Sequence, residues 1–222
     1  MTFKFSFLAP LLLLAFASAQ AAPLSPPETK SLLERIREKR AAAPQVQADF
    51  QEEKTVHLMN KPINSTGQVW FAAPNKFRRE VKGNAPSLTV SDGTQLWIFY
   101  PKFKSAERYS LGKRSPLDAG LAALTAALNL QNVENSYHIT ASKTATGHEL
   151  QLVPRNPSLK RLLKTFNIQL NADLQVQRTE MFQPNGDHIV TLYSNESRAP
   201  IPATTFEFTP PAGTNVTTPL GR

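Results

Sequence analysis

Ser87-Leu88-Thr89-Val90-Ser91-Asp92-Gly93-Thr94-Gln95-Leu96-Trp97-Ile98-Phe99-Tyr100 decides the fold class. Two β-prone runs flank Asp92-Gly93, the pair that favours a type I′ hairpin turn. Pro101 ends the second run. Leu96 to Tyr100 is apolar on both parities, so this strand is expected to be covered on two sides. Working outward, period-two segments recur at Val46–Gln51, Gly67–Ala73 and Phe77–Lys82 before the hairpin. After it come Tyr109–Leu111, Tyr137–Ala141, Glu149–Val153, Phe166–Asn171, Gln175–Gln183, His188–Ser194 and Thr204–Phe208. Pro184-Asn185-Gly186-Asp187 reads as another hairpin turn. The pattern predicts roughly 10–12 antiparallel strands, a mainly β fold at sandwich or barrel spacing.

The chain has 222 residues, a formal charge of +8 and no cysteine. One domain with a sizeable core fits that length. Zero cysteine excludes a disulfide framework, thiolate metal sites, a cysteine nucleophile and a lipid-modified cysteine. Residues 1–21 read as a secretory signal peptide, with Lys4, an apolar run from Phe5 to Phe16, and cleavage expected after Ala19 or Ala21. The run is about 12 residues, short of the roughly 20 needed to span a bilayer. Residues 22–222 are expected to form a single exported domain.

Two helices are expected. Ser25-Pro26-Pro27-Glu28 has the form of a capping box, opening a helix through Arg40 with Leu32, Leu33 and Ile36 on its buried face. Ser115-Pro116-Leu117-Asp118 opens the second. Leu117, Leu121, Leu124 and Leu128 form one stripe and alanines the opposite face, with no charge between Asp118 and Glu134. A helix apolar all round is buried on both sides. It is either a core helix or a lid over an apolar cavity.

Catalytic chemistry is not legible. His57, His138, His148 and His188 have no metal-ligand spacing, and there is no nucleophile elbow, phosphate loop or dinucleotide turn. The expectation is a non-enzyme with no cofactor and no metal. Aromatic alternation is more informative: Phe166 and Ile168, and likewise Phe206 and Phe208, recur on one parity. Either they fill a closed core or they line a ligand-sized cavity in a curved sheet.

Several stretches carry a resemblance. Ala48-Asp49-Phe50-Gln51 is followed by Gly67-x-x-Trp70 and Pro74-Asn75-x-Phe77, then Val90-Ser91-Asp92-Gly93-x-x-Leu96-Trp97. Phe206-x-Phe208-Thr209-Pro210-Pro211-x-Gly213 closes the series. In this order the chain resembles the periplasmic outer-membrane lipoprotein carrier family, LolA, from about Val46 to Val216. The resemblance implies an incomplete, half-open antiparallel β-barrel whose helices close an apolar cavity. It implies a monomeric periplasmic carrier of acylated lipoproteins. Its partners would be an inner-membrane ABC transporter and an outer-membrane lipoprotein receptor, with no nucleic acid. Lacking cysteine, the chain matches the soluble carrier and not the lipidated receptor.

The lining implied comprises Phe50, Val69, Phe71, Phe77, Arg79, Val90, Trp97 and Phe99 from the first strands. The lid adds Leu117, Leu121, Leu124 and Leu128, and the later strands add Phe166, Ile168, Phe206 and Phe208. Two positions depart from the family pattern: Ala73 stands where an Arg is common before Pro-Asn, and Arg79 where a Trp is common. Alternation turns Arg79 inward with Phe77 and Val81. There it would either bond the lid in place of the missing Arg or stand at the cavity rim. Two other readings remain on this sequence: a carrier of another lipid or glycolipid, and a periplasmic regulatory or sensor module on the same fold.

Overall fold

The computed structural model describes residues 21–111, 130 and 133–219. Residues 1–20 of the expected signal peptide and the lid leucines Leu117, Leu121, Leu124 and Leu128 lie outside them. The strands in chain order are β1 (Ala22–Pro23), β2 (Gln45–Thr55), β3 (Ile63–Ala72), β4 (Lys76–Lys82), β5 (Ser87–Ser91), β6 (Gln95–Tyr100) and β7 (Ser105–Ser110). They continue with β8 (Tyr137–Lys143), β9 (Gly147–Pro154), β10 (Thr165–Asn171), β11 (Val176–Phe182), β12 (His188–Ser197) and β13 (Asn215–Thr217). Helix α1 spans Pro26–Ala42 and the short α2 spans Pro157–Lys160.

All thirteen strands belong to one sheet, in the order β1-β8-β9-β10-β11-β12-β2-β3-β4-β5-β6-β7-β13. Neighbours pair antiparallel, except β13, which adds to β7 in parallel. Among the described residues no pairing joins β1 to β13, so the sheet curls without closing. The fold is the half-open β-barrel expected from the sequence.

Eleven of the expected segments are strands. The twelfth, Thr204–Phe208, is not: Ala203–Phe206 forms a 3-10 turn instead. Pro200 and Pro202 offer no amide to a ladder, and the Thr205 and Glu207 amides bond back to Pro202 and Thr204 within the turn. The Asp92 turn also differs from expectation. Only Gly93 takes positive φ, at 97°. The Asp92 carboxylate accepts from the Thr94 and Gln95 amides at 2.7 and 2.8 Å, which stabilises a three-residue loop instead of a type I′ turn.

Register fixes which side chains share a face. Phe50 faces Gly67, Val69 faces Arg79, and Phe71 faces Phe77 across neighbouring strands. Thr191 faces Glu52, and Tyr193 faces Phe50. The same face runs on through Met181 and Thr179 to Phe166, Ile168, Leu150 and Leu152. Helix α1 covers its β8–β10 portion with Leu32, Leu33 and Ile36. The helix begins as expected: the Ser25 amide and hydroxyl both donate to the Glu28 carboxylate, at 2.8 and 2.5 Å.

Gly67 is where two strands and a ring meet. A Cβ there would lie 1.8 Å from the Glu80 carbonyl oxygen and 2.7 Å from the Phe50 ring. The backbone contact cannot yield as a side chain can. Gly67→Ala is therefore expected to destabilise the fold by about 3 kcal/mol or to prevent folding. Urea unfolding of the variant checks this; a midpoint equal to that of the parent would refute it.

Candidate functional site

Phe166 on β10 and Phe77 on β4 are five strand spacings apart, which on a flat sheet would be roughly 24 Å. Both line one cavity of about 160 Å³. The curl brings them together, and the cavity lies on its concave face. Phe50, Val69 and Arg79 line it as well, so five residues of the expected lining meet here. Phe71 stands beside Phe77 in the adjoining apolar cluster. Ile168 lies on the same face, fully buried in the cluster under α1.

Five others lie elsewhere. Register puts Val90, Trp97 and Phe99 with Arg78 and Trp70, on the face opposite Phe77. That convex face is covered by the chain after β12. Phe208 packs on Trp97 and Phe99 with ring centroids 5.8 and 5.4 Å apart. Phe206 is buried with Ile201, Ala72 and Trp70. Arg78 fastens this tail by donating to the Thr205 carbonyl at 3.2 Å. Val90, Trp97, Phe99, Phe206 and Phe208 thus belong to an outer cluster and do not line the cavity. The reason is parity: β6 is apolar on both faces, and Leu96 and Ile98 take the inner one.

Arg79 does point inward. Its guanidinium lies 4.3 Å from the Phe50 ring centroid and donates to Glu52 at 2.7 Å. Glu52 also accepts from the Thr191 hydroxyl at 3.2 Å. An ion pair therefore sits in the cavity wall, stacked on an aromatic ring. The sequence reading missed Glu52, and with it the β11–β12 side of the wall: Thr179, Met181, Gln183, Ile189, Thr191 and Tyr193. The signal for Glu52 was available, since it follows Phe50 by two in one strand and so shares its face.

Tyr193 lies beside this pair. Burial raises its phenol above the ordinary value, and the Glu52 charge adds to the rise, against bonds with Thr179 and Thr191 and the Arg79 charge. The wall is part apolar, from Phe50, Val69, Phe77, Phe166, Met181 and Ile189, and part polar, from the Glu52–Arg79 pair, Thr179, Gln183 and Thr191. Among the described residues no three metal-ligating side chains converge, and no helix is long and apolar enough to cross a membrane.

Fold and cavity define an open β-barrel curled around an internal, partly apolar cavity. Residues 41–209 match the family described as Outer membrane lipoprotein carrier protein LolA. An outer-membrane lipoprotein carrier protein of Chromobacterium violaceum is 27% identical over 208 residues, covering 93% of this chain and 97% of its own. One of Dechloromonas aromatica is 27% identical over 175 residues, covering 77% of this chain and 80% of its own. A solved LolA superfamily protein of Nitrosomonas europaea is similar over 81% of this chain and 97% of that one, with 15% identity and a TM-score of 0.45. The chain belongs to the LolA family of outer-membrane lipoprotein carrier proteins. Membership of that carrier family, and not the lack of a catalytic motif, places it outside the enzymes.

Two predictions come from the buried polar groups. Glu52→Gln leaves Arg79 without its anion in a partly buried wall, and is expected to cost about 1–3 kcal/mol. Glu52→Leu with Arg79→Leu is expected to cost much less than the two single changes together, because neither charge is then left alone. Urea unfolding of the four-member cycle measures this, and strict additivity would exclude coupling.

The second concerns alkali. Burial is the leading cause raising all four tyrosines; Tyr109 and Tyr137 reach about 12, and Tyr100 and Tyr193 also rise. The unfolded chain loses these protons near pH 10, so the unfolded state gains on the native one above that pH. The tyrosine contribution to stability is complete below about pH 10 and is lost as pH climbs to about 12. Tyrosinate absorbance is expected to rise together with loss of near-ultraviolet dichroism. Full ionisation near pH 10 with the fold intact would contradict it.

Proposed function

We propose that this protein binds the acyl chains of lipoproteins in its concave cavity and carries them across the periplasm from the inner to the outer membrane. The observation that carries the reading is the cavity of about 160 Å³, walled by Phe50, Val69, Phe77 and Phe166 in a sheet that curls without closing. Membership of the LolA family supports it, as do relatives named as lipoprotein carriers.

The physics of the task fits the wall. Burying one methylene is worth about 0.8 kcal/mol, so a 16-carbon chain resists exposure by about 12 kcal/mol. Diffusion through water needs a cover of that order, and release needs a cover that yields. The cavity is smaller than the roughly 300–1,000 Å³ of ordinary ligand pockets. Loading an acyl chain therefore requires the walls to widen, which an unclosed sheet permits without breaking a ladder. On this reading cargo arrives from an inner-membrane ABC transporter and leaves to an outer-membrane receptor, with the carrier acting as a monomer.

Native mass spectrometry of the protein purified from a Gram-negative periplasm, before and after incubation with spheroplasts releasing lipoproteins, tests the proposal. A stoichiometric acylated lipoprotein is the expected adduct. A glycolipid or free lipid would redirect the cargo. A protein that captures neither would favour a regulatory module on this fold.

A further inference from the structure

The two ends of the barrel differ in charge and in polarity. The turns 56–62, 83–86, 101–104, 155–164 and 183–187 all leave the sheet at the same strand ends, because each joins neighbouring antiparallel strands on that side. Two pairs of them are bonded together. The His57 amide donates to Asp187 at 3.0 Å, and Lys102 donates to the Asn84 carbonyl. Gln183, in the last of these turns, lines the cavity, so the cavity reaches this end.

These five turns carry seven exposed cations: Lys61, Lys102, Lys104, Arg155, Lys160, Arg161 and Lys164. Their single acid, Asp187, is buried and bonded to His57. At the opposite end the described turns 43–44, 73–75, 92–94, 144–146 and 172–175 contain no Lys or Arg and two exposed acids, Asp92 and Asp173; the cations that reach them are Lys39, which donates to the Asp173 carbonyl, and Arg198, paired with Glu196 and donating to the Ala43 carbonyl.

Among the described residues, the basic end also holds half of the large apolar side chains left exposed. Leu58 is 90% exposed, Phe103 79%, Met59 51% and Leu162 44%. They stand on separate loop tips, each next to cations: Leu58-Met59 before Lys61, Phe103 between Lys102 and Lys104, Leu162 after Arg161. A protein-binding hot spot gathers its apolar residues in one packed centre with polar groups at the rim. Here apolar tips and cations are interleaved along a ring. That is the pattern of a bilayer surface, where apolar side chains enter the headgroup layer and Lys and Arg meet phosphates.

We infer that the basic loop end is a membrane-docking face, with Leu58, Met59, Phe103 and Leu162 inserting between the headgroups of an anionic phospholipid bilayer. Docking sets the cavity end against the lipid. The inference does not depend on which acylated cargo the cavity takes.

Co-sedimentation of the processed protein with vesicles of phosphatidylglycerol and phosphatidylethanolamine tests it, with phosphatidylcholine vesicles as the neutral control. Binding to the anionic vesicles alone, weakening with salt, is expected. Lys160→Glu with Arg161→Glu is expected to weaken it at least about tenfold, given the contribution of each surface cation. Leu58→Asp with Phe103→Asp is expected to weaken it comparably, while Lys143→Glu, at the opposite end, leaves it unchanged. Thermal melts matching the parent show that the variants fold, since none of these side chains is buried. No vesicle binding, or a protein that ignores vesicles but docks an acidic protein surface, overturns the inference. So does binding that survives Leu58→Asp with Phe103→Asp, because attraction would then act without insertion.

Discussion

An antiparallel sheet that curls without closing has a concave apolar face wider than a single helix can cover. The rest of this structure answers that constraint. Helix α1 packs Leu32, Leu33 and Ile36 over β8 to β10 and leaves β11, β12 and β2 to β4, with Phe166 at the margin, to the cavity. The two free edges are occupied by very short strands, β1 against β8 and β13 against β7. Long bare edges would invite pairing with other chains, and short ones blunt that hazard. The convex side has the opposite problem, because β6 is apolar there too. The segment after β12 meets it with Ile201, Phe206 and Phe208.

The cavity wall is not uniformly apolar, and the exception is ordered. Gly67 leaves space for the Phe50 ring, the Arg79 guanidinium lies over that ring, and Glu52 bonds the guanidinium. Each layer requires the one beneath it. A side chain at Gly67 would displace Phe50; without Phe50 the guanidinium would lose its stacking surface; without Glu52 it would be a lone charge in a partly dry wall. On the proposed function, an acyl chain lying over this pair would gain less from burial than it would over leucines. Such a wall would hold that cargo less tightly than an all-apolar one and release it more readily.

Most of the strand plan was legible because alternation is a direct consequence of the pleat. Segments such as Phe166–Asn171 and Phe77–Lys82 have one apolar parity, so their inner faces could be read at once. Leu96 to Tyr100 could not be resolved this way: with both parities apolar, only pairing with β5 shows that Leu96 sits with Phe77 and Trp97 with Phe208. Phe206 and Phe208 alternate like a strand, but prolines on both sides deny them a ladder. Glu52 went unremarked for a different reason. Acids are usually weighed as catalytic pairs, whereas this one matters as a counter-ion, a role visible only when Arg79 lands next to it.

Adjacent residues on β4 connect the two sides of the sheet. Arg78 faces outward, stands over Trp70 and bonds the Thr205 carbonyl of the tail. Arg79 faces inward and bonds Glu52. One strand therefore fixes both the outer strap and the inner wall. Widening the cavity by bending β4 away from β10 would carry the strap with it, while movement of the free edges would disturb neither the Arg78 hydrogen bond nor the Arg79–Glu52 pair. The easier deformation is thus at the two free edges, β1 and β13, which no ladder joins among the described residues. A barrel closed by a full ladder would have no such soft direction, and the cavity would be limited to its resting volume.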